Sequence, residues 1–398
     1  MTMDIGEKIK QLAQENFEEI RACRRHIHQH PELSFQEFET AKFIQQKLTE
    51  YGIPFTANIA KTGIVAIVEG KNPSSKTIAL RADMDALPIL EQNNNEYTSQ
   101  NKGVMHACGH DAHTACLLGA GKILQTLKNE FEGSVKFIFQ PSEEKLPGGA
   151  SEMIKAGVLE NPQVEGIIGQ HVFTPFKVGT VAFCFGNMMA STDEIYITIK
   201  GKGGHGAYPQ DTKDPVMMAA QMLVAMQQVV SRTVSPFQPA VLTFGKVIAN
   251  GATNIIPDEV YLEGTFRAMD ETVRSAAHQQ IKEIAKNTVA AFGGTVDVNI
   301  AIGYPVLTNN DALTQRSYDR AVAYLGKENV IITTPRMGAE DFAFYSQKVP
   351  ACFYRLGSGN PDKGITSNIH TPTFNIDENA LVTGMGLMAF HALGELSA

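Results

Sequence analysis

Hydrophobic spacing divides the chain before any chemistry is considered. Over residues 5–30, Ile9, Leu12, Phe17 and Ile20 recur at helical intervals and Pro31 stops the run. Ser34, followed three residues later by Glu37, predicts a capping box that opens a second helix. Residues 64–68 (Ile-Val-Ala-Ile-Val) and 77–80 (Thr-Ile-Ala-Leu) are continuous apolar runs, as expected of strands covered on both faces. An amphipathic helix is predicted over 114–127, a strand over 134–140, and another over 167–171 with His171 at its end. Strand and helix alternate, so the predicted class is α/β with a largely parallel sheet.

Near residue 185 the pattern changes to alternation. Ile195, Ile197 and Ile199 share one face of a strand over 194–200. A helix over 215–230, strands over 240–247 and 259–267, a helix over 272–292 and a strand over 295–300 follow. That β-α-β-β-α-β order predicts a ferredoxin-like α+β unit. Buried-strand style resumes after Tyr304, over 330–333 and 351–356, with helices from Leu313 and Glu378. The reading is a discontinuous domain over 1–184 and 302–398, interrupted by an inserted domain over 185–301.

A chain of 398 residues also exceeds what one core comfortably holds, which agrees with two domains. The net charge of −8 argues against nucleic acid or an anionic membrane as partner. No apolar run reaches the roughly 18 residues that would span a bilayer. The polar first 14 residues read as the start of a helix rather than a signal peptide, so the cytoplasm is expected. Five scattered cysteines without C-x-x-C pairing fit a reducing compartment.

The unusual polar residues stand beside strand ends: Asp83 and Asp85, Cys108 and His110, the pair Glu143-Glu144, His171, and later His370. Open α/β sheets place their sites at such ends. A lone histidine is usually a satisfied surface or core residue, and adjacent glutamates usually lie on a solvated face. A Cys-x-His on a glycine bend differs, because thiolate and imidazole can converge on one cation. Dispersed S, N and O donors suggest a catalytic cation pair rather than a structural zinc site, which uses local cysteine pairs. Of two neighbouring carboxylates, one can ligate while the other accepts a proton.

These residues carry a family resemblance. The segments 25–33 (RHIHQHPEL), 81–88 (RADMDALP), 106–113 (HACGHDAH), 140–144 (QPSEE), 201–205 (GKGGH), 253–257 (TNIIP), 264–267 (GTFR), 338–342 (GAEDF) and 370–372 (HTP) appear in one order almost end to end. The chain resembles the zinc-dependent aminoacylase/carboxypeptidase superfamily of metallohydrolases. Within it, the chain looks closest to the hippurate hydrolase, auxin–amino acid conjugate hydrolase and N-acetyldiaminopimelate deacetylase branch. The resemblance implies a zinc-exopeptidase-like catalytic domain interrupted by a ferredoxin-like dimerisation or lid domain.

It further implies that Cys108, His110, Glu144, His171 and His370 hold two divalent metal ions (zinc, manganese, cobalt or nickel), with Cys108 bridging. Glu143 matches the general acid/base and Asp85 the carboxylate that orients a ligand histidine. His205 and Asn254 match donors to the substrate carbonyl, and Arg267 a partner for the substrate carboxylate. His26, His28, His30 and His106 read as structural or as supports behind the ligand residues, and His278 and His391 as ordinary helix residues. After Glu144, most members of that family run directly into glycines, whereas this chain has Lys145, Leu146 and Pro147 before Gly148 and Gly149.

The expected reaction is hydrolysis of the amide of a small N-acyl amino acid by metal-activated water, in a homodimer. Three alternatives stand beside it: a dipeptidase or carboxypeptidase of the same superfamily, a thiol hydrolase built on Cys108, and a metal-binding relative that has lost catalysis. The thiol reading lacks an orienting third group and leaves Glu143, Glu144, His171 and His370 without roles.

Overall fold

The computed structural model describes residues 5–398, in which the chain separates into two compact units. The first comprises the chain up to Gly186, Thr308–Thr334 and Asp341–Ala398; the second comprises Asn187–Leu307 and Pro335–Glu340. Periodicity had no means of assigning 335–340, a short stretch with neither helical nor strand spacing. No helix among the described residues is long and apolar enough to cross a membrane.

The first unit is built on an eight-stranded sheet. Its spatial order is Phe55–Ile59, Gly63–Glu69, Ser134–Gln140, Thr77–Asp83, Gly166–Lys177, Ala351–Gly359, Val181–Phe183 and Val330–Ile332. The four central strands pair in parallel. Antiparallel pairings enter at the Phe55–Glu69 hairpin, where that hairpin meets Ser134–Gln140, and where Val181–Phe183 meets Ala351–Gly359. Every residue of Thr77–Asp83 and Ser134–Gln140 is buried, including Arg81, Asp83, Lys136 and Gln140, whose side chains are hydrogen-bonded. Helices Ile5–Gln29, His110–Thr126 and Ala380–Leu396 pack on one another and contribute Ile9, Leu117, Leu118, Met385 and Leu387 to the core.

Three local expectations are corrected. Helix Phe38–Glu50 has Glu37 as its N-cap, with no side-chain cap bond, and the Ser34 hydroxyl donates instead to Asp85 Oδ2 at 2.6 Å. The predicted capping box therefore does not form; both side chains are taken by long-range partners. The helix expected from Thr114 begins at His110, because His110, Asp111 and His113 are buried polar residues that periodicity treats as loop. The strand ending at His171 continues to Lys177, so His171 lies mid-strand.

The second unit holds a four-stranded sheet in the order Ala240–Ile248, Glu259–Ala268, Asp193–Lys200, Thr295–Ile302, antiparallel throughout. Its first and third strands in sequence are central, and helices Pro215–Gln228 and Glu271–Ala291 cover one face. Asp214 and Asp270 cap these helices by accepting from the backbone N–H of Val216 and Met217, and of Thr272 and Val273. Ile195, Ile197 and Ile199 point into the core and are fully buried. His278 is not an ordinary helix residue: its Nε2 bonds the buried Asp193 carboxylate at 2.7 Å, beside Arg274 at 2.6 Å.

Candidate metal centre

Within the first unit, residues from four separate parts of the chain converge. Cys108 and His110 flank Gly109, which precedes helix His110–Thr126 with φ +85°. A Cβ there would sit 2.3 Å from Val172 Cγ2, so both conformation and space demand glycine. Strand Ser134–Gln140 delivers Glu143 and Glu144 just past its end, strand Gly166–Lys177 delivers His171, and His370 arrives on a loop. His370 is held at φ +61° while its N–H donates to Ala107 O at 2.7 Å. A non-glycine residue in that region is uncommon and persists where its surroundings fix it.

The ligand atoms of Cys108, His110 and His171 lie within 4.8 Å of one another, as do those of Cys108, Glu144 and His370. Cys108 thus belongs to both triads, and His110, Glu143 and Glu144 form another such group. His171 Nδ1 donates to Val172 O at 2.7 Å, so its Nε2 lone pair faces Cys108 Sγ at 3.3 Å. His110 Nδ1 donates to Asp85 Oδ1 at 3.2 Å, which leaves its buried Nε2 without a hydrogen-bond partner among the described residues. Glu144 Oε1 is buried and makes no hydrogen bond among the described residues, although His370 Nε2 lies 3.2 Å away. Buried sulfur, nitrogen and oxygen atoms converging with few hydrogen-bond partners fit a cation, and a thiolate–imidazole–carboxylate set suits zinc and its first-row neighbours.

Electrostatics agree with that fit. Burial disfavours the His110 cation, but Asp83, Asp85 and Glu144 outweigh it and raise the group to about 10. Burial, with Glu144, Glu143 and Asp83 close by, pushes the Cys108 thiol well above its ordinary range. Excess negative charge around a protonated thiol and imidazole is what a divalent cation would neutralise. His171 behaves oppositely: burial, then His113 and Arg355, hold it well below its usual value, as the neutral ligand form requires.

Two carboxylates organise the surroundings. Asp85 accepts from His110 Nδ1, from the Ser34 hydroxyl, and from the backbone N–H of Glu143 and Glu144 at 3.0 and 3.1 Å. Asp83 takes His113 Nδ1 at 2.6 Å and Arg81 Nη1 at 2.6 Å, while His113 Nε2 accepts from the Val172 N–H at 2.9 Å. His113 therefore positions the strand next to His171. Arg81 also binds Asp341, whose N–H reaches Glu143 Oε1 at 3.3 Å.

Of the other histidines, His28 joins Arg24 on the buried Asp111 carboxylate behind the helix's first turn. His26 stacks on Phe43, His30 lies beside it, and His106 and His391 are buried without ring hydrogen bonds among the described residues. Sequence reasoning missed Glu37, a fully buried carboxylate that bonds the Ser142 N–H. Its capping-box spacing drew attention to helix initiation, and nothing local pointed to residue 142.

His205, Asn254 and Arg267 all belong to the second unit. His205 pairs with Ile255 in a two-stranded ribbon and Gly206 N–H donates to Asn254 O at 2.8 Å, so His205 and Asn254 are neighbours, both exposed. Arg267 is half-buried in strand Glu259–Ala268 and donates to Met337 O at 3.2 Å, without an acidic partner among the described residues.

Comparison with known proteins gives a concordant result. The profile of peptidase family M20/M25/M40 matches residues 79–392. An N-acyl-L-amino acid amidohydrolase of Geobacillus stearothermophilus is 43% identical over 305 residues, 77% of this chain and 82% of that protein. An N-acetyl-L-cysteine deacetylase of Bacillus subtilis (strain 168) is 40% identical over 365 residues, covering 92% of this chain and 85% of that one. The crystal structure of Bacillus subtilis YXEP, described as a dinuclear metal binding peptidase from the M20 family, superposes with a TM-score of 0.84 at 34% identity. It covers 96% of this chain and 99% of that one.

Proposed function

The chain belongs to peptidase family M20/M25/M40 and is a metal-dependent hydrolase, and from that premise we propose that it hydrolyses the amide of N-acyl amino acids with Glu143 as base. The observation that carries this reading is the meeting of Cys108, His110, Glu144, His171 and His370, with Glu143 beside them and its backbone fixed by Asp85. We assign those five to two divalent cations, Cys108 shared between them; zinc, manganese, cobalt and nickel all suit the donors.

When bound, such cations acidify water and polarise an acyl oxygen. The protein's own residues do the rest. Glu143 accepts a proton from the water that attacks the acyl carbon, then returns it to the amine as the C–N bond breaks. Asp85 holds His110 in the tautomer whose Nε2 is free to ligate. His205 and Asn254 are assigned as donors to the developing oxyanion and Arg267 as the bidentate partner of the substrate carboxylate. Support for the last is its half-buried guanidinium without an acidic partner among the described residues.

The working form is a homodimer made through the second unit. Strand Ala240–Ile248 lies at the edge of its sheet with Val241, Val247 and Ile248 exposed, and Val224 on helix Pro215–Gln228 is 72% exposed. An apolar edge of unpaired backbone groups favours pairing with a second copy. The cytoplasm is the proposed location, supported by five buried free cysteines.

The reading is tested by turnover of N-acetyl and N-benzoyl amino acids and of dipeptides, with zinc, manganese, cobalt or nickel supplied in turn. Hydrolysis of acyl amino acids that stops on chelation and returns with metal is expected. Full activity after chelation, with loss on thiol alkylation alone, would move the chemistry to Cys108. Dipeptide cleavage without acyl amino acid cleavage would replace the substrate class.

A further inference from the structure

Three successive backbone N–H groups lead into the site, and each ends on a buried carboxylate. Glu143 and Glu144 donate to Asp85 Oδ1 and Oδ2; Ser142, one residue earlier, donates to Glu37 Oε1 at 2.9 Å. Ser142 has φ +49°, a conformation that residues with a side chain seldom adopt. The same Glu37 oxygen accepts from Phe35 N–H at 2.8 Å, and Phe35 has φ +60°. Thr62 Oγ1 donates to the other oxygen at 2.7 Å. Glu37 is fully buried and has let go of the local role its spacing suggests, since its helix carries no side-chain cap bond.

We propose that Glu37 is a positioning residue for the hydrolysis: by holding Ser142 in its unusual conformation, it sets the direction in which Glu143 leaves the strand. The inference rests on Glu143 being the base. A carboxylate serving only helix Phe38–Glu50 would bond that helix's own first N–H groups. This one instead reaches a residue 105 positions away, next to the proposed base. The rest of Ser142 is fixed as well: its carbonyl accepts from Gly149 N–H at 2.7 Å. The Ser34 hydroxyl on Asp85 brings the same N-terminal segment to the second carboxylate. One loop, residues 34–37, therefore underwrites the geometry of 142, 143 and 144.

The arrangement makes a sharp distinction between substitutions. Both backbone donors use Oε1, and Oε2 faces a hydroxyl that can donate or accept, so a carboxamide reproduces every bond. Burial and Asp85 push the Glu37 carboxyl up to about 7, which favours the neutral form that a carboxamide mimics.

The test compares wild type, Glu37→Ala, Glu37→Gln and Thr62→Val as metal-loaded protein. It measures kcat and KM on an N-acetyl amino acid, bound metal, and amide hydrogen exchange of the segment 140–146. Glu37→Ala is expected to lower kcat about tenfold or more with KM and metal content nearly unchanged, a loss of orientation rather than of binding. Exchange in 140–146 should quicken. Glu37→Gln should restore both to near wild type. If Glu37→Ala does not fold, Thr62→Val, which removes only the Oε2 bond, should still quicken exchange there and lower kcat. Wild-type kcat and exchange in the Ala variant, loss of activity only in step with loss of metal, or failure of Gln to rescue would each overturn the proposal. If wild type cleaves no acyl amino acid, the functional reading fails by itself. The positioning claim is then decided by exchange, and unchanged protection of 140–146 in Glu37→Ala overturns it.

Discussion

The Asp85 carboxylate accepts the backbone N–H of Glu143 at 3.0 Å while its Oδ1 also takes His110 Nδ1 at 3.2 Å. One buried side chain thus sets both the tautomer of a proposed ligand and the position of the proposed base. Its second oxygen accepts from Ser34 and from Glu144 N–H. Every contact is one in which Asp85 accepts, and burial is outweighed by His110, Ser34 and the Glu143 amide, so the group is held below the ordinary carboxylate range.

Asp85→Asn is therefore not conservative. Whichever oxygen becomes NH2 meets a backbone N–H, of Glu143 or of Glu144, so at least one donor-to-donor contact replaces a hydrogen bond. Metal affinity should fall by about 10- to 100-fold, with kcat falling as well even at saturating metal. Competitive chelator titration measures the first and steady-state kinetics the second. Wild-type affinity in this variant would show that His110 is oriented by something else.

Glu143→Ala should behave differently. Glu143 touches Asp341 N–H through its side chain, but its backbone stays anchored on Asp85 whatever that side chain is. Metal content should remain at the wild-type level while kcat drops by about 10²- to 10⁴-fold, the usual contribution of a general base. Substantial turnover in this variant would remove Glu143 from the proton chemistry.

How much of this was readable beforehand depends on where polar residues lie. The strand over 64–68 was visible because its sequence is continuously apolar. The start of helix His110–Thr126 was displaced because His110, Asp111 and His113 are polar yet buried, so periodicity took them for loop. His171 was misplaced to a strand end for the same reason. Ser34 and Glu37 obeyed a sound local rule and were captured by stronger partners, Asp85 and Ser142, that lie 51 and 105 residues away. The local rule gave way beside the proposed base, where the backbone at Ser142 is strained.

The edge strand of the second unit gives a test independent of chemistry. Val247 is 51% exposed on Ala240–Ile248, and Val224 faces solvent on helix Pro215–Gln228. Val247→Lys combined with Val224→Lys places charge on an apolar edge without touching the buried Ile195, Ile197 or Ile199. Sedimentation velocity should show a dimer for wild type and a monomer for the double variant. A monomeric wild type, or a variant that stays dimeric, would exclude this face.

Stability should carry a signature of Glu37. Its carboxyl is raised by burial and Asp85 from 4.5 to about 7, so the folded protein holds a proton that the unfolded chain releases. The associated stabilisation is complete below about 4.5 and is lost as pH rises through about 7, roughly 3 kcal/mol in all. Glu37→Gln keeps the bonds without the titration. Its stability relative to wild type should therefore increase from pH 5 to pH 8 in denaturant unfolding. A constant difference across that range would contradict a buried, proton-sharing carboxyl.

Metal loading should release protons. Without metal at neutral pH, Cys108 is held as the thiol by burial and neighbouring carboxylates, and His110, raised to about 10 chiefly by Asp83 and Asp85, is the imidazolium. Both must lose a proton to ligate, whereas His171, held low by burial, is already neutral. About two protons per chain should therefore leave on binding at pH 7. Affinity should weaken as pH falls, because binding must release those protons against a rising proton concentration. Calorimetry in buffers of different ionisation enthalpy reads the number directly. Cys108→Ser, whose hydroxyl stays protonated, should reduce it by about one. Release close to zero in wild type would mean that Cys108 and His110 do not ligate, and the assignment of the centre would fail with it.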